Sequence, residues 1–307
     1  MFATIVSVAL VGQIRSPQNL DFSKKIIVDM GVNTQRRGLP KIQRTWVKPL
    51  VFDKAKLGIK LYGKFPLLEC QLESNIERAN IQIESQGDRG TCTIFATKFL
   101  TEYELARQAK FKSAPRLNPE FLNWAANAAT KSSDDGSSFP AVIEGLDVYG
   151  CSNWNDPKVY QGGIPDFDPN YKPSKTILAK ALPLQKKVGL YSVFSHPTAG
   201  LTTNDMDTIM AFLRRGVPFA VGQQWPASGA WKTTKIDNWD VLDGTGPVDG
   251  AHTMPIVGFQ KSNKAPGGGI FLFRNSWGDG WGYGGYHFMS FKWVKEHTYD
   301  GCIAGPA

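Results

Sequence analysis

Cys92 is the first residue of this 307-residue chain whose setting suggests chemistry. It follows the glycine-bounded loop Gln86-Gly87-Asp88-Arg89-Gly90-Thr91 and opens a run with apolar residues at Phe95, Phe99, Tyr103 and Ala106. Those spacings are helical and predict a helix with Cys92 in its first turn. A helix N-terminus carries unpaired N–H groups and partial positive charge, and both favour a thiolate. The plainer reading is a small buried hydrophobe. A thiolate nucleophile needs a base, and the base needs an orienting group; both can be remote in sequence. Of the four histidines, His252 opens an apolar run after the turn Val248-Asp249-Gly250-Ala251. His196 and His297 fall in loop or terminal contexts, and His287 falls in an aromatic strand where packing explains it. Asn275 ends the apolar run 270–274 and is followed by Ser276-Trp277-Gly278. An asparagine amide oxygen there would fix an imidazole ring, and the neighbouring indole would keep water off that hydrogen bond. The plainer readings are a turn asparagine and a core tryptophan.

In this order the residues resemble the papain family of cysteine peptidases. Gln86 precedes Cys92 by six positions, His252 opens a strand, and Asn275-Ser276-Trp277-Gly278 follows. The resemblance covers about residues 72–307, with 117–121, 136–150 and 216–221 in the family's order. It implies an α+β, papain-like two-lobe fold: a helical lobe over about 86–175, an antiparallel β-barrel-like lobe over about 200–307, and an active-site cleft between them. It implies that Cys92 attacks a peptide carbonyl and that His252 is the acid and base. Asn275 would orient the imidazole, and Gln86 with the Cys92 backbone N–H would stabilise the oxyanion. Gly136 resembles the second glycine of a substrate-binding diglycine, and Trp277 would shield the His–Asn pair and border the leaving-group side. The implied activity is that of an endopeptidase acting on protein or peptide, with no metal or cofactor. A thiol acyltransferase, deamidase or exopeptidase on the same scaffold would share the chemistry up to the acyl-enzyme. An inactive binding module would be expected to lack Cys92, His252 or Asn275, and all three are present.

Several positions depart from the family pattern. Arg89 stands where a bridging cysteine is usual, Thr93 where a tryptophan follows the nucleophile, Asp135 at the first glycine of the pair, and Ala251 where some members have an acid. Gly162-Gly163-Ile164-Pro165 also resembles the diglycine but comes after the third expected helix. The loop 261–269 is long enough to modify the cleft.

Around these residues the pattern gives helices over 92–106, 117–125 (capped by Asn118, with Pro119 in its first turn), 140–149 (stopped by Gly150) and 204–215. Strands are expected over 217–221, 252–259, 270–274 and 285–289. The chain carries net charge +8, concentrated in residues 1–64 at net +9. The basic residues there alternate with apolar ones, which fits a solvated basic surface and gives no expectation of nucleic-acid binding. Short β-like runs at 26–28, 46–52 and 57–62 make residues 1–71 an extension, read as a pro-segment or accessory β element. Cys70, Cys92, Cys151 and Cys302 leave room for at most one disulfide beside a free nucleophile, which favours a reducing compartment such as the cytoplasm. Residues 1–12 are apolar but too short to span a bilayer and lack a preceding basic residue, so export follows only if they act as a leader.

Overall fold

The computed structural model describes residues 68–156, 160–162, 168, 171–226, 231–237, 239–244, 248 and 250–307. The expected leader and the β-like runs of the extension lie outside the described residues.

The helical side is built from α1 (Glu73–Arg78), α2 (Cys92–Gln108), α3 (Pro119–Thr130), α4 (Phe139–Tyr149) and α5 (Lys175–Ala181). Local sequence sets the helix ends. Asn118 Oδ1 accepts from the N–H groups of Glu120 and Phe121 with Pro119 behind it, so α3 starts there. Gly150 ends α4 at φ 70°, where a Cβ would lie 2.0 Å from the Ala181 carbonyl oxygen, so only glycine fits. Buried Phe99, Leu100 and Tyr103 of α2, Phe121 and Leu122 of α3, and Val142 and Leu146 of α4 join one core with the sheet side.

The sheet side contains β1 (Cys70–Gln71), β2 (Val188–Ser195), β3 (Phe219–Trp225), β4 (Trp231–Ile236), β5 (Trp239–Gly244), β6 (Gly250–Lys261), β7 (Gly269–Arg274), β8 (Tyr286–Ser290) and β9 (Thr298–Pro306). Helices α6 (Thr203–Arg214) and α7 (Phe291–His297) pack against it. The strands run in the order β2-β9-β3-β6-β7-β8-β5-β4, with β1 on β6.

The expected β-barrel-like closure is not what forms. Among the described residues the two ends of the path, β2 and β4, each pair with one neighbour only, so the sheet is open. Nor is it wholly antiparallel, because β5 joins β8 in parallel at Val241↔Phe288 and Leu242↔Met289. One physical reason lies in α2, which packs along β6, β9 and β3 and buries the face that closure would otherwise have to cover. The sheet also begins earlier than residue 200, since β2 spans Val188–Ser195.

One hairpin does most of the positioning. β6 starts beside His252 and runs to Lys261, and β7 returns antiparallel from Gly269 to Arg274. At about 3.3 Å per residue the turn lies roughly 30 Å from His252 along the strand. The loop 261–269 is therefore at the far end, where Gly267 and Gly269 approach Lys292 and Phe291 of α7. The same hairpin brings Asn275 back to His252.

Candidate active site

Cys92 is the first residue of α2 and is partly exposed. Burial raises its thiol, but a hydrogen bond and charge from His252, followed by contacts with Thr253, outweigh this, and the thiol titrates below its ordinary value. Thr253 also meets the helix directly through its hydroxyl, 3.0 Å from that of Thr93.

The His252 ring is buried and its Nε2 lies 2.9 Å from Asn275 Oδ1. A carbonyl oxygen only accepts, so Nε2 carries the proton and donates, and Nδ1 is left toward the thiol. The Ser276 N–H donates to the same Oδ1 at 2.8 Å and fixes the amide. Trp277 stacks on the His252 ring, with centroids 4.7 Å apart and planes at 20°. Trp225 meets the ring edge-on at 4.9 Å, and Trp281 abuts Trp277 at 5.2 Å.

Gln86 is held from both sides of the cleft. Its Nε2 donates to the Arg89 carbonyl at 2.7 Å, and Ser276 Oγ donates to its Oε1 at 2.6 Å. Its backbone N–H donates to the Ser276 carbonyl at 2.8 Å. One amide proton of Gln86 is not used in these bonds. Gly136 is exposed, and the loop carrying it reaches the loop 86–91 before Cys92: a Cβ on Gly90 would lie 3.8 Å from the Asp135 Cβ and 3.9 Å from the Gly136 nitrogen. Gly162 also touches that loop, because its carbonyl accepts from the Asp88 N–H at 2.8 Å.

The sequence reading gave several contributors no role at the site. Arg89 donates through Nε and Nη2 to Asp135 at 2.9 and 2.7 Å, and through Nη1 and Nη2 to Glu120 at 2.5 and 3.2 Å. Its guanidinium lies 4.7 Å over the Tyr160 ring. The Tyr160 hydroxyl donates to the Gln86 carbonyl at 2.8 Å and contacts Thr91 Oγ1 at 2.7 Å. The available signal was Arg89 itself, a cation among small residues, with Asp135 beside Gly136. Ser276, Thr253 and Trp225 gave none. The remaining histidines pack or pair elsewhere: His287 is buried, with burial and the His252 charge holding it well below its ordinary value; His196 contacts Asp205 at 3.1 Å and His297 contacts Gln224 at 3.2 Å. Cys70, Cys151 and Cys302 are free thiols pushed upward by burial. Among the described residues no group of acids, histidines and cysteines could hold a metal, and no helix is long and apolar enough to cross a membrane.

Residues 192–299 match the model of the papain family cysteine proteases. Xylellain, a cysteine protease from Xylella fastidiosa, superposes with a TM-score of 0.58 at 18% identity over 85% of this chain and 91% of that one. A procathepsin B from Trypanosoma congolense gives 0.51 at 13% identity over 85% and 83%. The digestive procathepsin L 3 of Tenebrio molitor gives 0.50 at 17% over 86% and 76%. Curated protein sequences yield no match. The resemblance first seen in the order of Gln86, Cys92, His252 and Asn275 thus extends to the fold, and residues 192–299 match that family's model as well.

Proposed function

We propose that this protein is a cysteine endopeptidase in which Cys92, His252, Asn275 and Gln86 form the catalytic group. The observation that carries this reading is the His252–Asn275 hydrogen bond of 2.9 Å combined with a Cys92 thiol lowered by His252. A lowered thiol favours the thiolate, and the Nε2 bond aims the other ring nitrogen at Cys92, where it takes the thiol proton that it later gives to the departing amine. Cys92 attacks the scissile carbonyl carbon and the C–S bond forms. The carbonyl electron pair moves to oxygen, which the unused Gln86 amide proton and the Cys92 N–H receive. His252 then protonates the departing amine as the C–N bond breaks, and afterwards takes a proton from the water that releases the acyl group. Trp277, stacked on His252, shields the His–Asn bond in this reading and borders the leaving-group side of the cleft. Gly136 is exposed backbone beside the nucleophile loop, suited to pairing with an extended substrate strand. Residues 72–307 are the catalytic domain in this reading, and protein or peptide is the substrate.

The test is hydrolysis of an unstructured protein under reducing conditions, together with labelling by a thiol-directed epoxide. Wild type is expected to cleave and to be labelled at Cys92, and Cys92→Ser to fall to background in both. Wild type labelled normally but without hydrolysis would turn the reading toward a transferase.

A further inference from the structure

Among the described residues two large apolar side chains are exposed, Leu182 at 45% and Val148 at 48%, and the fold brings them together. Leu182 opens a turn of 3-10 helix, Leu182–Lys186, that follows α5 directly. Its backbone rests on the C-terminal end of α4, where a Cβ on Gly150 would lie 3.1 Å from the Leu182 Cα. Val148 comes two residues earlier in α4, a rise of about 3 Å. Leu178, one helical turn before Leu182, is half-buried and continues the apolar surface. A single exposed aliphatic residue is ordinary on a protein surface, whereas an adjoining pair marks a place of contact.

Positive charge dominates the same segment. Residues 172–187 contain Lys172, Lys175, Lys180, Lys186 and Lys187 and no Asp or Glu. All five lysines are exposed, and none forms an ion pair among the described residues. Lys180 lies in the last turn of α5, where it offsets the helix dipole, but that accounts for one lysine and for none of the exposed apolar surface. On α4, Glu144 lies one turn before Val148 and Asp147 lies beside it, so five lysines stand against two acids.

The fold sets this patch away from Cys92. Gln108 Nε2 donates to the Lys187 carbonyl at 2.9 Å, and Gln108 is the last residue of the helix that Cys92 begins. At about 1.5 Å per residue, α2 holds the two roughly 24 Å apart. A surface seated here leaves the Cys92 end of the helix uncovered. The charge narrows the choice of occupant. Residues 1–64 carry net +9 and would be repelled by the lysines, and a second copy would set the same lysines face to face. Single-stranded nucleic acid is held by aromatic or arginine planes on which bases stack, and residues 172–187 contain neither.

We infer that Leu182, Val148 and these lysines dock the protein reversibly on a membrane surface rich in anionic phospholipid. The lysines lie among the headgroups, which supply the opposite charges that the fold does not, and the two aliphatic side chains enter the boundary below them. The docking is independent of the peptidase reading of Cys92.

Co-sedimentation of the full chain with vesicles decides it, comparing an equal mixture of phosphatidylserine and phosphatidylcholine with phosphatidylcholine alone. Wild type is expected to bind the mixture and not the neutral vesicles, and to be released as salt shortens the screening length from about 10 Å at 0.1 M to about 3 Å at 1 M. The triple variant Lys180→Glu, Lys186→Glu, Lys187→Glu should weaken binding by about tenfold or more, and Leu182→Ser by about tenfold. Lys261→Glu, Lys292→Glu, Lys295→Glu changes the net charge equally on β6 and α7 and should stay within about twofold of wild type. All these side chains are exposed, and circular dichroism matching wild type confirms each fold. An equal loss in the two triple variants would overturn the inference, since attraction would then follow net charge, the basic extension included. Unchanged binding of Leu182→Ser, or no binding by wild type, would overturn it too. So would tighter binding to single-stranded DNA through the same lysines, which would make the partner nucleic acid.

Discussion

The two walls of the cleft are held by different physics. On the helical wall, the loop 86–91 before Cys92 has no ladder of its own and is braced by buried charge, with Arg89 forked between Asp135 and Glu120. On the sheet wall, His252 lies in β6 and Asn275 follows directly on β7, so the backbone ladder already fixes them and rings finish the job. The contrast is one of need. A loop without a ladder must be held by directional side-chain bonds, and a guanidinium fork supplies two planar ones per carboxylate. A strand residue needs only its side-chain rotation limited, which stacking does at little desolvation cost. The helical wall repeats its device at Lys98, which bonds Glu84 at 2.5 Å and Glu102 at 2.7 Å.

If this contrast holds, the largest effect comes from breaking the brace. Arg89→Met leaves two carboxylates buried and unpaired, which typically costs about 3–5 kcal/mol. Guanidinium denaturation should show that loss, and epoxide labelling of Cys92 should slow in whatever remains folded. Arg89→Lys keeps the charge but not the fork and should fall between. Adding Glu120→Gln and Asp135→Asn to Arg89→Met should recover much of the stability, because the unpaired charges are then gone. A loss below about 1 kcal/mol for Arg89→Met, in the range of a surface pair, would end the comparison.

The same contrast explains what the sequence revealed. The candidate catalytic residues were legible because each sits at a marked transition: Cys92 at a helix start after glycines, His252 at a strand start, and Asn275 at a strand end before Ser276-Trp277-Gly278. Helices α3 and α4 were readable from Asn118-Pro119 and from Gly150, since capping chemistry is local. Strand pairing is not local. Nothing within 239–244 or 286–290 announces that they join in parallel, and nothing in 188–195 announces that it forms one open edge, so closure into a barrel was the wrong expectation. The pairing within the brace was unreadable for a similar reason: Arg89, Glu120 and Asp135 are distant along the chain, and an arginine among small residues does not reveal which acids it will meet.

A smaller effect is expected on the sheet wall. Trp277→Ala removes a ring stacked 4.7 Å from that of His252, yet the His252–Asn275 bond and both strands remain. An aromatic pair is worth about 0.5–1.5 kcal/mol, so kcat/KM should fall roughly tenfold or less, and Trp277→Phe should keep most of the activity. Stability should change less than for Arg89→Met, since Trp277 is partly exposed. A loss of fold in Trp277→Ala as large as that of the brace variant would show that the rings are structural, and that the two walls do not differ in the way described.

The smallest effect tests the point where the walls meet. Ser276 Oγ, from the sheet wall, donates to Oε1 of Gln86 on the helical wall at 2.6 Å. Ser276→Ala removes that bond and leaves intact the backbone bond from the Ser276 N–H to Asn275, so His252 stays oriented. One hydrogen bond of this kind contributes about 0.5–1.5 kcal/mol, which is roughly two- to tenfold in rate. Because the oxyanion exists only in the transition state, the loss should appear in kcat and leave KM nearly unchanged. Gln86→Ala alone should cost about 100- to 1000-fold, as expected for an oxyanion donor. In that background Ser276→Ala should add nothing, since the amide it steers is gone; an additive loss would mean that Ser276 acts by some other route and that the two walls are not joined through Gln86.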